Sequence, residues 1–411
     1  MQTNLRAKRA DLSFAHLMGL SISARLLIDT VAQLFNPFLT IFAVGLGVDV
    51  VTLGRLLSLR LVTGIFTPVM GALADRHGYR RMMRLAILCV IAGLLLIGGS
   101  RGMVLLVLGM VVMGIGQAGF VPTLHAYLSA RLPYNVRARG LGILEYSWAL
   151  AGIVGLFVMG QLIAATDWRI PLFVLAVGLG GVWLLFGLLP AAHPQQHLTV
   201  APPAVSRSSL RRFTSFFDLG SHSRSAYGAI AADALLFFAG MQLMVIYGAW
   251  LNQEYGLGAA ALGSVALLLG CFDLAASVSV SIFTDRLGKR RSVLIGTLGT
   301  LLGNALLPFL NLSLPIAVAG IALTRGSFEF GIVSQISLLS EQAPDQRGKV
   351  LSLGSAVVMM GGALANLTGP WLYVHYGVWG LSAASVVALV ISLVLVIGVV
   401  REPGEEFRRQ L

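Results

Sequence analysis

Eight ionisable side chains interrupt otherwise apolar stretches of this chain. They are Arg25, Asp29, Arg60 and Glu145 in the first half and Asp233, Asp273, Arg325 and Glu329 in the second. A charge in a hydrocarbon-like setting is costly, so such a group is paired, protonated or placed to bind something. Arg25 and Asp29 are four residues apart, as are Arg325 and Glu329, and a helix puts residues at that spacing on one face. Two chemistries are therefore open: a buried carboxyl group that exchanges protons between two sides, or a closed ion pair that holds helices together. For Asp29 and Glu329 the spacing favours structure or gating. Glu145, Asp233 and Asp273 have no partner nearby in sequence. Asp273 falls near the middle of its stretch and is the expected proton carrier. Asp233 and Glu145 lie about 9–10 Å from the ends of theirs, at the helical rise per residue. Arg60 either neutralises an acid such as Asp29 or reads an anionic substrate group. Asn36 (with Pro37 beside it), Tyr146, Trp148 and Gln242 add polar and aromatic groups to the same stretches.

The elements that must position these residues are membrane helices. Of the 411 residues, 57% are hydrophobic and only 11% charged, where soluble domains carry about 25% charge. The apolar residues run in blocks of about 20, the length that crosses a bilayer, and do not alternate as barrel strands do. Twelve spans are expected: 14–44, 50–72, 82–99, 103–129, 140–165, 168–190, 227–251, 258–283, 292–310, 313–339, 350–374 and 379–400. The fold class is all-α, with residues 1–190 and 227–411 as two pseudo-symmetric six-helix bundles and 191–226 as a cytoplasmic linker. Leu210, Phe213, Phe216 and Phe217 in that linker suit either a short helix on the membrane surface or a flexible tether.

The net charge of +12 is topology rather than a nucleic-acid footprint. With the N-terminus inside, 23 of the 29 Lys and Arg residues fall in cytoplasmic segments, and the outer loops keep only Arg55, Arg101 and Arg169. That asymmetry places both termini in the cytoplasm. The first apolar segment is long and carries Arg25 and Asp29, so it reads as a retained helix rather than a signal peptide. Cys89 and Cys271 lie inside spans and read as packed thiols.

One turn occurs twice, 210 residues apart. Gly71, Asp75, Arg76, Gly78, Arg80 and Arg81 mark the first copy, and Asp285, Arg286, Gly288 and Arg290 the second. Further matches recur at offset 211: Gly45-Leu46-Gly47 with Gly256-Leu257-Gly258, Pro133 with Pro344, and Trp168 with Trp379. A repeat at half the chain length means two fused copies of one unit. An even number of spans per copy keeps the copies parallel, related by an axis along the membrane normal.

These residues resemble the major facilitator superfamily, whose signature after the second span is Gly-x-x-x-Asp-Arg-x-Gly-Arg-Arg. The two halves of that superfamily are a known example of parallel repeats. The resemblance implies alternating access, with the repeated turn acting as a gate on the cytoplasmic side. Two stretches depart from the pattern of its drug antiporters. The fourth span reads Met110-Val111-Val112-Met113-Gly114-Ile115-Gly116 without an arginine, and the fifth reads Gly152-Ile153-Val154-Gly155 without a proline.

Gly114-Ile115-Gly116-Gln117-Ala118-Gly119 mimics a dinucleotide loop but sits inside an apolar span, where small residues allow close helix packing. His16, His125 and His375 are scattered near span ends and read as interfacial residues, so no metal site is expected. No cofactor, nucleotide site or catalytic constellation is expected, which argues against an enzyme. The expected protein is a monomeric inner-membrane carrier of a small organic solute, with lipid as its surroundings and protons as coupling ion. Proton-coupled efflux follows from the resemblance. Import of a metabolite or facilitated diffusion is the first alternative, and a non-transporting sensor or lipid-handling protein is the second.

Overall fold

The computed structural model describes residues 14–132, 134–189, 219, 223–343 and 346–401, and among these there is no strand. In chain order the helices are α1 (Phe14–Gln33), α2 (Leu39–Leu46), α3 (Val50–Val62), α4 (Thr67–His77), α5 (Tyr79–Gly98), α6 (Met103–Arg131), α7 (Tyr134–Leu150), α8 (Phe157–Ala165) and α9 (Ile170–Phe186). They continue as α10 (Ser223–Tyr255), α11 (Ala259–Leu287), α12 (Lys289–Leu306), α13 (Leu314–Leu339) and α14 (Arg347–Gly398). A 3-10 turn, Thr63–Phe66, joins α3 to α4, and a π-helical turn, Ala151–Leu156, joins α7 to α8.

The described residues up to Leu34, with those from Thr63 to Leu189, form one compact unit; Phe35–Val62 and those from Leu219 onward form the other. In the first, α5 packs between α6 and α9, and α1 packs on α7 and α9. In the second, α10 lies along α14 and α13, α12 pairs with α13, and α3 rests on α14.

Local sequence explains where these helices stop. Pro37 cannot donate a backbone hydrogen bond, and the chain turns through 34–38 between α1 and α2. The expected single span 14–44 is thus broken. Gly47 ends α2 at φ 68°, and Asp49 then caps α3. The Thr52 N–H donates to Asp49 Oδ1 at 2.8 Å, and the Thr52 hydroxyl donates to Oδ2 at 2.6 Å. Those bonds hold the Asp49 carboxyl below its ordinary range. The two copies of the repeated turn are superposable in conformation: Gly78 has φ 89° and ψ 138°, and Gly288 has φ 89° and ψ 145°. A side chain would strain that backbone, so glycine is required at both. Gly377, at φ 60°, bends α14 into two arms where two separate spans were expected.

Seven helices among the described residues are long and apolar enough to cross a membrane, or eight when the bent pair Leu39–Leu46 and Val50–Phe66 counts as one. Around a buried apolar core, large apolar side chains also face outward while several charged ones are buried. Val104 and Leu188 stand 81% and 78% exposed, while Arg25, Asp29, Arg60, Asp233 and Asp273 are buried. This is the distribution that a hydrocarbon solvent imposes. The glycines of the rejected dinucleotide motif serve packing: a Cβ on Gly116 would stand 2.6 Å from the Ala86 carbonyl of α5. On α12, a Cβ on Gly296 would stand 2.3 Å from the Cα of Gly331.

The left-handed glycines that end the first helical segment before a span are Gly47 and Gly256, which are 209 residues apart rather than 211. The sequence match of Gly47 with Gly258 is therefore displaced by two residues from the structural one. Pro133, Pro344 and the linker residues Leu210, Phe213, Phe216 and Phe217 lie outside the described residues.

Candidate functional site

In the first unit, three of the candidate side chains, Arg25, Asp29 and Glu145, gather with His125 and Ser147 between α1, α6 and α7. Arg25 Nε donates to both oxygens of Asp29, at 3.0 and 2.9 Å. The Ser147 hydroxyl donates to Asp29 Oδ2 at 2.6 Å. The expected i,i+4 pair is therefore formed, and a second helix closes it. Arg25 also reaches Glu145 at 3.3 Å, and His125 Nε2 lies 3.0 Å from the other Glu145 oxygen. The network is graded in exposure. Asp29 is enclosed, whereas the Glu145 side chain is 52% exposed and that of His125 36%. Such a gradient offers a proton or a cationic solute an accessible acid joined through Arg25 to a buried one. One turn further along α1, Gln33 Nε2 donates to the Trp148 carbonyl at 3.0 Å; Tyr146 and Trp148 flank Ser147 along α7. His125 and Ser147 were not read as part of a site. A histidine six residues from a helix end carries no sequence mark of the acid it meets on another helix.

The second unit pairs its charges differently from the sequence expectation. Arg325 does not close on Glu329. Its Nε lies 3.0 Å from each oxygen of Asp273, and its Nη2 lies 2.7 Å from Oδ2. A bidentate fork across two helices outcompetes an i,i+4 contact, because both planes align and both acceptor oxygens are used. Glu329 instead accepts from the Ser277 hydroxyl at 2.9 Å. Asp273, expected to be free to carry a proton, is thus the best-held acid of this unit. Tyr247 and Arg325 border a cavity of about 10 Å³, room for a single water. Gln242 Nε2 donates to Thr368 at 2.9 Å, tying α10 to α14.

Asp233 is the exception. It is 4% exposed, and its Oδ1 is sealed from solvent with no hydrogen-bond donor among the described residues. Arg60, on α3, is buried and lies 5.8 Å over the Phe35 ring, and Asn36 is buried in the turn before α2.

The repeated turns act on the last helix of their own unit. Arg80 donates to the Leu189 carbonyl at 2.7 Å, just beyond α9. Arg290 donates to the carbonyls of Val396 and Ile397, at 3.1 and 2.7 Å, at the end of α14. Asp75 is exposed and accepts from the Tyr79 hydroxyl at 3.1 Å, while Lys289 forms an ion pair with Glu341. Arg76, Arg81 and Arg286 are exposed, Gly71 lies in α4, and Asp285 lies in the last turn of α11.

The family model of the Major Facilitator Superfamily matches residues 22–324 and 229–410 of this chain. The chain belongs to that superfamily. Its similarity to other members is spread along its length. It is 26% identical over 370 residues to the uncharacterized MFS-type transporter YwfA of Bacillus subtilis, covering 89% of this chain and 86% of that protein. It is 26% identical over 336 residues to the class C tetracycline resistance protein of Escherichia coli, covering 77% of this chain and 78% of that protein. The crystal structure of a D-xylose-proton symporter superposes with a TM-score of 0.74 at 17% identity, over 94% of this chain and 97% of that one. The fold is therefore the superfamily's, and the chain is a multi-pass membrane transporter.

Within this superfamily member, the place of the missing fifth-span proline is occupied by the π-helical turn Ala151–Leu156. A Cβ on Gly155 would lie 2.1 Å from the Thr30 hydroxyl, so the widened turn presses directly on α1 beside Asp29. A π-turn carries one extra residue per turn and marks functional positions often. Here it directly follows α7, whose Glu145 and Ser147 reach Arg25 and Asp29.

Proposed function

We propose that the chain carries a small organic solute across the membrane by alternating access, outward and coupled to protons. The observation that carries this reading is the graded network of the first unit, in which a half-exposed Glu145 is wired through Arg25 to an enclosed Asp29. Solute and proton can compete for such a group from the water side, which is the elementary requirement of exchange. Likeness to a tetracycline resistance protein supports the outward direction and an amphipathic or aromatic solute. Tyr146, Trp148, Phe237, Phe238 and Tyr247 supply rings for it.

In this reading the two halves are six-helix bundles, 1–190 and 227–411, with twelve spans, both termini in the cytoplasm and the monomer as working unit. The repeated turns are cytoplasmic gates, with Asp75 and its Tyr79 contact as the part that opens. Asp273 and Arg325 hold helices rather than carry protons, and the chain performs no catalysis. Arg60 favours a second reading, in which a buried guanidinium takes a carboxylate of an imported metabolite. Uptake of a panel of cationic, neutral and anionic compounds into vesicles, with native chain and Arg60→Gln, separates the two. Outward exchange of cationic or neutral compounds that survives in Arg60→Gln supports efflux. Anion uptake abolished by that substitution supports import, and no flux of any compound removes both.

A further inference from the structure

Asp233 stands apart from the other buried acids of its unit. Asp273 is held by Arg325 and Glu329 by Ser277, but Asp233 Oδ1 accepts nothing from the described residues. Along its own helix it has Ala229, Ile230 and Ala232 on one side and Leu236 and Ala239 on the other, all in apolar clusters.

A second orphaned oxygen belongs to the same place. Gln335 on α13 is fully buried, and its Nε2 donates to the Ala229 carbonyl at 2.8 Å. Its Oε1 accepts nothing among the described residues. A helical side chain leans back over the turn that precedes it, so Asp233 covers the turn of Ala229 on which the Gln335 amide is anchored. An ionised carboxylate and an amide oxygen are both acceptors, and two buried acceptors at one site leave both unsatisfied. A single proton on the carboxyl group supplies the missing donor.

We propose that Asp233 and Gln335 form a second proton site, separate from the Glu145 network, with the Asp233 carboxylic acid donating its O–H to Gln335 Oε1. When the site meets water the proton leaves to solvent as hydronium, the carboxylate remains, and the Gln335 oxygen loses its donor. The proton site rests on geometry alone; its role in coupling rests on the proton-coupled reading above. On the helices packed against α10 the described titratable side chains are Arg325 and Glu329 of α13 and Lys349, Tyr373, His375 and Tyr376 of α14, with Cys271, Asp273 and Arg286 on α11. None of them, nor Arg224, Tyr227, Tyr247, Glu254 or Tyr255 on its own helix, donates to the buried Asp233 Oδ1.

Infrared difference spectroscopy on the full chain in lipid vesicles, titrated with pH and no solute present, tests this. The expected result is a protonated-carboxyl band at neutral pH that is lost in Asp233→Asn. In Gln335→Leu the band should shift in frequency, and its titration midpoint should move to lower pH, because the acid form loses its acceptor. The Gln335→Leu comparison stands even where Asp233→Asn fails to fold. No such band in the native chain, a band that survives Asp233→Asn, one indifferent to Gln335→Leu, or one displaced by sodium at fixed pH would overturn the assignment. A confirmed band with no solute-driven proton movement in the same vesicles would leave the proton site standing and remove the coupling.

Discussion

Arg80 and Arg290 occupy the same position in the two copies of one turn, and each donates its guanidinium to backbone carbonyls at, or just beyond, the end of the helix that closes its unit. Arg80 meets Leu189 O at 2.7 Å, and Arg290 meets Ile397 O at 2.7 Å. The carbonyls at a helix C-terminus have no partner within the helix and carry its negative dipole end, so a cation there serves both needs. The repeated basic residues therefore do more than set orientation in the membrane.

Replacing either arginine by methionine should destabilise the protein by about 1 kcal/mol, the usual size of a helix-end cation effect at a partly buried site. Lysine should recover part of the loss at Arg80 and less at Arg290, where the fork spans two carbonyls. Thermal unfolding in detergent measures this, and unchanged melting of both variants would reduce the arginines to topology markers.

The Arg25–Asp29 pair is enclosed, so removing one partner leaves an uncompensated charge. Asp29→Leu alone should cost about 3–5 kcal/mol, whereas the double change Arg25→Met with Asp29→Leu should recover much of it. Glu145 also leans on Arg25, so the recovery should be smaller than for an isolated pair. Folded yield and melting temperature of the three variants read the difference.

Asp273 and Arg325 should behave as a bolt. Asp273→Asn should lower stability, and exchanging the two residues, Asp273→Arg with Arg325→Asp, should restore it in part. The pH profile of transport in the exchanged variant should keep its native midpoint. A midpoint displaced by more than one pH unit would return Asp273 to the proton pathway.

The Asp49 cap gives a pH-dependent stability of known sign. Its carboxyl titrates below the unfolded value because the Thr52 amide and hydroxyl favour the charged form. The stabilisation is thus complete above the ordinary carboxylate range and is lost as pH falls through the lower, folded value. The site is exposed, so the effect should stay within about 1 kcal/mol, the range of an N-cap. Asp49→Ala should flatten that acid dependence in a comparison of unfolding at neutral and acid pH.

Much of this organisation was legible in the sequence because its causes are local. The glycine of the repeated turn and the Arg25–Asp29 pairing each follow from a few adjacent residues, whereas the full break at Pro37 replaced an expected single span. What escaped was set by helix rotation. Arg325 and Glu329 share a face by spacing, yet Arg325 turns to Asp273 on another helix. His125 and Ser147 look unremarkable along the chain and acquire their partners only when α6 and α7 meet α1. Gln335 drew no notice, since an amide in an apolar span reveals neither its anchor nor its unsatisfied oxygen. The two-residue displacement of the Gly47 and Gly256 equivalence shows that a matched tripeptide need not mark a matched backbone.

The most direct test of proton-coupled carriage is solute-dependent proton movement in reconstituted vesicles, read with an internal pH dye while a panel of cationic, neutral and anionic compounds is added. The native chain should move protons only when one class of compound is present. Glu145→Gln and Asp233→Asn should lose that movement while still exchanging labelled compound across the membrane. Compound flux in the native chain that is independent of pH and unaltered in both variants would contradict proton coupling and leave a facilitated-diffusion carrier.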